Sequence, residues 1–263
     1  RGRSVQNLTC MRPQTGIGGA MLFDDDLLSL PLQPGRVSGS SSCSRVAQTN
    51  FVTASECTAF LSLAEPLMPA ASAKPTFSFF LNQCVETGDV LAILFYCRLL
   101  ERMRRAVAHE YGLPLADLRP DLSFLSRVSA VEAPQSLHSS LHCDECSRAT
   151  FHFSCVLYLN SEGVDYEGGR FVFSDPPRQD GEPGRPGERQ LSRTSPRRGL
   201  ALMFSSGWEN LHFIEPVESG CRYAIPAFFT RSAVDARAWG REGRSATDTL
   251  WRTTLGRTSD EGK

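Results

Sequence analysis

The sequence predicts an α+β fold in which N-terminal helices support a double-sheet jelly roll. Three observations lead there. Apolar residues recur at helical spacing up to Gly112, alternation at period two takes over from Asp121, and short strand-like runs separated by turn residues then follow one another to Phe229. A chain of 263 residues with 41% hydrophobic content can bury one substantial core.

Taken in order, residues 1–45 are rich in Gly, Ser, Arg and Pro and read as an irregular leader, with one apolar island from Met21 to Leu32. Residues 46–120 read as a helical support region. Thr53-Ala54-Ser55-Glu56 has the form of a capping box, opening a helix through Phe60, Leu61 and Leu63 that stops near Pro66. Asp89 caps a longer helix with Leu91, Leu94, Phe95, Leu99, Met103, Ala106 and Val107 at helical spacing, ended by Gly112 and Pro114. Arg102, Arg104 and Arg105 on that helix read as a solvated face.

Residues 121–232 carry the predicted strands: Leu122 and Phe124 onward, Phe153 to Leu159, Arg170 to Ser174, Leu200 to Phe204, and Cys221 to Phe229. Within this core the stretch 175–198 holds five prolines and six arginines with Leu191 as its one strongly apolar residue, so it reads as a disordered insertion. Residues 233–263 form a polar tail relieved by Trp239, Leu250, Trp251 and Leu255.

The bulk properties exclude some classes. A formal net charge of −1 gives no general basic field, so no nucleic-acid partner is expected. The longest apolar run, Val90 to Cys97, is too short to span a bilayer, so no membrane segment is expected in the chain as given. Nine cysteines at scattered positions show no disulfide framework, and Asn7-Leu8-Thr9 is a glycosylation sequon whose meaning depends on compartment.

The candidate site lies in His142-Cys143-Asp144 and in His212 followed by Arg222. Two histidines and a carboxylate form the facial triad of non-haem Fe(II), with open positions left for oxygen and a chelating co-substrate. An arginine supplies a planar fork for a carboxylate. If residues 142–144 lie on a strand, His142 and Asp144 share one face and Cys143 the other. Asn210 to Arg222 reads as a strand, a turn near Ser219-Gly220 and a returning strand, placing His212 and Arg222 on one face, about four residues or roughly 13 Å apart.

Around these residues the chain resembles the iron(II)/2-oxoglutarate-dependent oxygenases, in their prolyl 4-hydroxylase-like branch. Glu167-Gly168-Gly169-Arg170-Phe171-Val172-Phe173 is similar to that branch's Gly-Gly strand entry, and Pro196-Arg197-Arg198-Gly199-Leu200-Ala201-Leu202-Met203-Phe204 resembles the strand before its second histidine. Phe124 to Val128, Leu157-Tyr158-Leu159 and Ser206 to His212 extend the likeness, which covers roughly residues 99 to 230. The resemblance implies a double-stranded β-helix and a dioxygenase that holds Fe(II) through His142, Asp144 and His212. It also implies 2-oxoglutarate as co-substrate, anchored by Arg222 and released as succinate and CO2, with ascorbate as reductant. A peptide or protein substrate, with proline as one target, is expected on the same ground, which also admits the endoplasmic reticulum or secretory pathway while the compartment stays open. The competing reading is a catalytically silent jelly-roll module, since a fold does not fix an activity; retention of all four residues favours catalysis.

A His-x-Asp triplet alone is weak, and the ordered set carries the reading. His109, His138 and His152 are expected to serve packing or surface. Cys143 and Cys146 form a Cys-x-x-Cys without the second pair a structural zinc site needs, so Cys143 reads as a small hydrophobe, with a local disulfide open to it in an oxidising compartment. Pro226 interrupts the last strand and calls for an edge or a bulge.

Overall fold

The Thr53 side chain accepts from the Glu56 amide while the Glu56 carboxylate accepts from the Thr53 amide, so helix α1 (Ala54–Ala64) starts where the capping box predicts. Helix α2 (Leu81–Glu86) follows, and Asp89 caps α3 (Val90–Glu110) by accepting from the Ala92 amide. These elements belong to a computed structural model that describes residues 2–6, 45–130, 140–148, 150–175 and 190–231. The apolar island at 21–32, His138, most of the proline- and arginine-rich stretch and the tail lie outside the described residues.

The buried face of α3 is Ala92, Tyr96, Leu99, Leu100, Met103 and Val107. Leu91 and Leu94, expected on that face, are 66% and 38% exposed, because the stripe starts one residue later and each residue turns the helix by about 100°. Arg104 is not solvated as expected: its guanidinium donates to the Leu115 and Leu118 carbonyls and ties the helix to the following loop.

Among the described residues eleven strands run in chain order as β1 (Arg3–Gln6), β2 (Arg45–Gln48), β3 (Thr76–Phe80), β4 (Arg119–Ser129), β5 (Phe153–Tyr158), β6 (Tyr166–Gly168), β7 (Phe171–Asp175), β8 (Gln190–Thr194), β9 (Ala201–Ser205), β10 (His212–Ile214) and β11 (Val217–Thr230). The larger sheet has the order β1-β2-β9-β5-β11-β4-β3, with β6 paired to β11; the smaller is β10-β7-β8, and an isolated bridge between His142 and His212 extends it. All the strand pairs are antiparallel. Two antiparallel sheets whose neighbours are distant in sequence form the double-stranded β-helix, or jelly roll.

Period-two alternation divides the larger sheet between two cores. Phe153, Cys155 and Leu157 of β5, Ala201 and Met203 of β9, and Tyr223, Ile225, Ala227 and Phe229 of β11 pack in one core with the helices. Their neighbours Val156, Tyr158, Leu202, Phe204 and Ala224 pack instead with Phe171 and Phe173 of the smaller sheet. A one-residue slip would exchange the two faces, so the pattern fixes the register.

Three expectations are corrected. The insertion expected over 175–198 contains a strand, β8, whose residues are mostly exposed; it pairs with β7 at the sheet edge, where backbone bonds hold a strand without an apolar face. The leader expected to be irregular contributes β1 and the start of β2, which pair with each other. Pro226 lies neither at an edge nor in a bulge. It sits within β11, where pairing to β5 continues through Val156 while the ladder to β4 carries no partners at Ile225 and Pro226, so the missing N–H leaves a gap in the ladder.

Candidate metal centre and carboxylate anchor

His142 and Asp144 do not share a strand. His142 makes one bridge with His212, in which each backbone N–H donates to the other residue's carbonyl (3.0 and 2.8 Å), and Asp144 opens a four-residue helix, α4 (Asp144–Ser147). Cys143 between them is extended, at φ −115° and ψ 153°, so the two-residue spacing still turns both ligands to one side. The hairpin expected between His212 and Arg222 is also absent. The chain leaves the smaller sheet after Ile214 and enters the larger one at Val217, so the two residues come from different sheets, and Gly220 sits inside β11.

The ligand atoms of His142, Asp144 and His212 lie within 4.8 Å of one another. Asp144 Oδ1 is 3.6 Å from His212 Nε2 and 3.8 Å from His142 Nε2. Each imidazole has its Nδ1 at 2.7 Å from a backbone carbonyl, Ser140 for His142 and Asn210 for His212. A carbonyl only accepts, so Nδ1 carries the proton and Nε2 presents a lone pair to the centre. The Ser154 hydroxyl donates to Asp144 Oδ2 at 2.6 Å, leaving Oδ1 facing the histidines. Burial alone would raise the Asp144 carboxyl, but positive charge on the His212 ring, then on His142, together with the Ser154 hydroxyl, holds it below its ordinary value; a cation bound between the two Nε2 atoms would supply that charge in place of ring protons. A donor set of two imidazole nitrogens and one carboxylate oxygen, each oriented by a second bond, fits an Fe(II) ion with open positions.

Behind His212 lies a polar network that the sequence did not announce. Arg45 donates through Nε to Asn210 Oδ1 at 2.7 Å, pairs with Asp175 at 2.6 and 3.1 Å, donates to the Glu209 carbonyl, and lies 3.8 Å above the Phe173 ring. Asn210 donates to Ser205, and Phe171 stacks on the His212 ring with centroids 4.7 Å apart.

Arg222 is 2% exposed, and its Nε finds no partner. Among the described residues it makes no ion pair. Among the described residues the buried Tyr158 and Tyr166 hydroxyls meet no hydrogen-bonding geometry, and the guanidinium lies 5.2 Å from the Tyr158 ring centre. Burial pushes the Tyr158 phenol up to about 12 against the opposing pull of Arg222, and Tyr166 is raised by burial as well, so both are neutral donors at working pH. Gly169, at φ 63°, separates the groups: a Cβ there would lie 3.0 Å from Arg222 Cδ and 3.2 Å from Tyr166 Cε2. Gly168 has φ 77°, and a Cβ would collide with the Pro216 carbonyl.

His142, Asp144, His212 and Arg222 line one cleft, whose remaining wall includes Phe124, Ile214, Pro226 and Phe228. The four residues read from the sequence thus converge. Tyr158, Tyr166, Ser154 and Arg45 were not singled out; the parity of Tyr158 with Val156, both facing the interior, was the available signal for one of them.

Residues 128–230 match the family model described as "2OG-Fe(II) oxygenase superfamily". This region resembles that superfamily. The chain is also similar to the rat protein named 2-oxoglutarate and iron-dependent oxygenase domain-containing protein 3, with 30% identity over 57% of this chain and 47% of the relative. Chicken prolyl 3-hydroxylase 1 is 36% identical over 36% of this chain and 11% of its own length. A solved Pseudomonas putida prolyl-4-hydroxylase overlaps 72% of this chain and 93% of its own at 19% identity, with a TM-score of 0.47. The chain spans about half the length of the first curated relatives it matches.

Proposed function

We propose that the chain is an Fe(II)- and 2-oxoglutarate-dependent dioxygenase that hydroxylates an uncharged residue, with proline the leading candidate, in a peptide or protein. The observation that carries this reading is the pairing, within one cleft, of an oriented His-Asp-His set with a buried arginine that has no counter-charge among the described residues. A buried unpaired cation is costly, and a dicarboxylate bound beside the metal would supply its partner. When bound, iron and 2-oxoglutarate supply the oxidising chemistry, consuming molecular oxygen and leaving succinate and CO2.

The protein's share is orientation. His142, Asp144 and His212 hold the metal on one side. Arg222 takes the distal carboxylate of the co-substrate, and the Tyr158 and Tyr166 hydroxyls donate to the same group. Phe124, Ile214, Pro226 and Phe228 exclude water and offer no charge to a lysine, arginine or acidic side chain, which favours an apolar target. The similarity to a protein named prolyl 3-hydroxylase 1 supports proline in that role.

The test is anaerobic titration of the purified chain with Fe(II) and 2-oxoglutarate, followed by succinate formation with ascorbate and proline-containing peptides. A metal-to-ligand charge-transfer band is expected, and His142→Ala, Asp144→Ala and His212→Ala should each remove it. Retention of the band in any of the three would refute the ligand assignment.

A further inference from the structure

We propose that Cys143 and Cys146 are a redox modification site, a dithiol that closes to a disulfide and thereby tightens the metal centre. The coupling to metal rests on the proposed role of the triad. The two Sγ atoms are 2.8 Å apart and unbonded. A disulfide needs about 2.05 Å, so closure asks only for a small movement within one turn. Cys143 is fully buried against Trp208 and Leu211, while Cys146 is partly exposed.

No other use of the pair is evident. Among the described residues, the one group of three or more metal-ligating side chains is the triad itself, so no further donors surround these sulfurs as a zinc site would require. Burial pushes the Cys57, Cys84 and Cys97 thiols up to about 11, and all three lie in the apolar core, out of reach of an oxidant.

The place of the pair gives it consequence. A bond between residues 143 and 146 would close a ring that contains Asp144, and His142 precedes that ring directly. The same short helix is docked by the Glu145 amide, which donates to the Ser206 carbonyl at 2.9 Å. With the sulfurs already this close while the triad atoms converge, the cross-linked turn resembles the metal-ready one. The bond would remove alternative conformations of the metal-free turn, which is how pre-organisation raises affinity.

The oxidant is a small disulfide such as glutathione disulfide. The partly exposed Cys146 sulfur gives up its thiol proton to solvent and attacks one sulfur of the oxidant; that S–S bond breaks, and one glutathione leaves as thiolate and takes up a proton. The Cys143 thiol then loses its proton as its sulfur attacks the mixed disulfide at the Cys146 sulfur, forming the internal bond and expelling the second glutathione as thiolate, which takes up a proton. One disulfide is reduced to two thiols, and one pair of protein thiols becomes one disulfide.

The full chain is equilibrated in glutathione buffers of stepped potential, trapped by alkylation and mapped by mass spectrometry. Mn(II) binding to each form is read by electron paramagnetic resonance, since this ion favours imidazole and carboxylate over thiolate. A Cys143–Cys146 linked peptide is expected, with Mn(II) bound about 10-fold more tightly by the oxidised form, within the usual range of coupled sites. Cys146→Ser and Cys146→Ala should bind Mn(II) like the reduced parent, whatever the buffer potential. Persistence of both thiols in fully oxidised glutathione overturns the proposal, as does equal or weaker Mn(II) affinity of the disulfide form. Failure of the reduced parent to bind Mn(II) at all would instead sink the triad assignment, and the coupling with it.

Discussion

The two histidines of the candidate metal centre face each other across one backbone bridge, yet they are held very differently. The His212 side chain is 4% exposed and rests on the Arg45–Asn210–Asp175 network and on Phe171. The His142 side chain is 22% exposed, is oriented by one loop carbonyl and leads into a helix of four residues. One ligand belongs to the scaffold and two belong to a turn docked on it. A centre built this way can keep its geometry at one end while the other end adjusts to metal or substrate, since local stability follows local packing and bonding.

The largest effect on stability should come from removing the support on the rigid side. Arg45→Leu strips Asp175 and Asn210 of a buried partner and is expected to cost about 3 kcal/mol of stability, the low end for breaking a buried charge pair. Chemical denaturation measures it. A loss below about 1 kcal/mol would mean the network is no stronger than a surface pair, and His212 would then be no better supported than His142.

Arg222→Ala tests the opposite end of the cleft. It should weaken 2-oxoglutarate by about 2 to 4 kcal/mol with metal affinity nearly unchanged, as read by calorimetry. Equal loss of both would indicate damage to the fold. On the adjustable arm, Ser154→Ala frees Asp144 Oδ2 and should lower metal affinity by roughly 10-fold, typical for a group that orients a ligand. If affinity is unaltered, Asp144 is positioned by its helix alone. The smallest effects are expected from Tyr158→Phe and Tyr166→Phe, each weakening 2-oxoglutarate by about 1 kcal/mol while leaving metal binding intact. Should neither change it, the phenols do not reach the carboxylate.

Local signals were the legible ones. Thr53 with Glu56 and Asp89 at its helix start are read within one turn of chain, and the alternation along β5 is read within six residues. The His142-Cys143-Asp144 spacing led to the right convergence through the wrong element, because one extended residue has the same parity as a strand. Arg45 escaped notice because Asn210 lies 165 residues away, and no local pattern marks a contact of that separation. Strand β8 escaped because its pairing is a backbone property and its side chains are polar or exposed. His212 and Arg222 were assigned to one hairpin because Gly220 reads as a turn; the chain instead passes from one sheet to the other between Ile214 and Val217.

The Arg222 guanidinium, which makes no ion pair among the described residues, also bears on the lifetime of the protein. A fold that buries a cation without a counter-charge is less stable empty than filled, and free diacid at about 100 times its dissociation constant would add about 2.7 kcal/mol to the folded state. The folded fraction should therefore follow the local supply of dicarboxylate. Starved of it, the chain would open more often and become the better substrate for proteases.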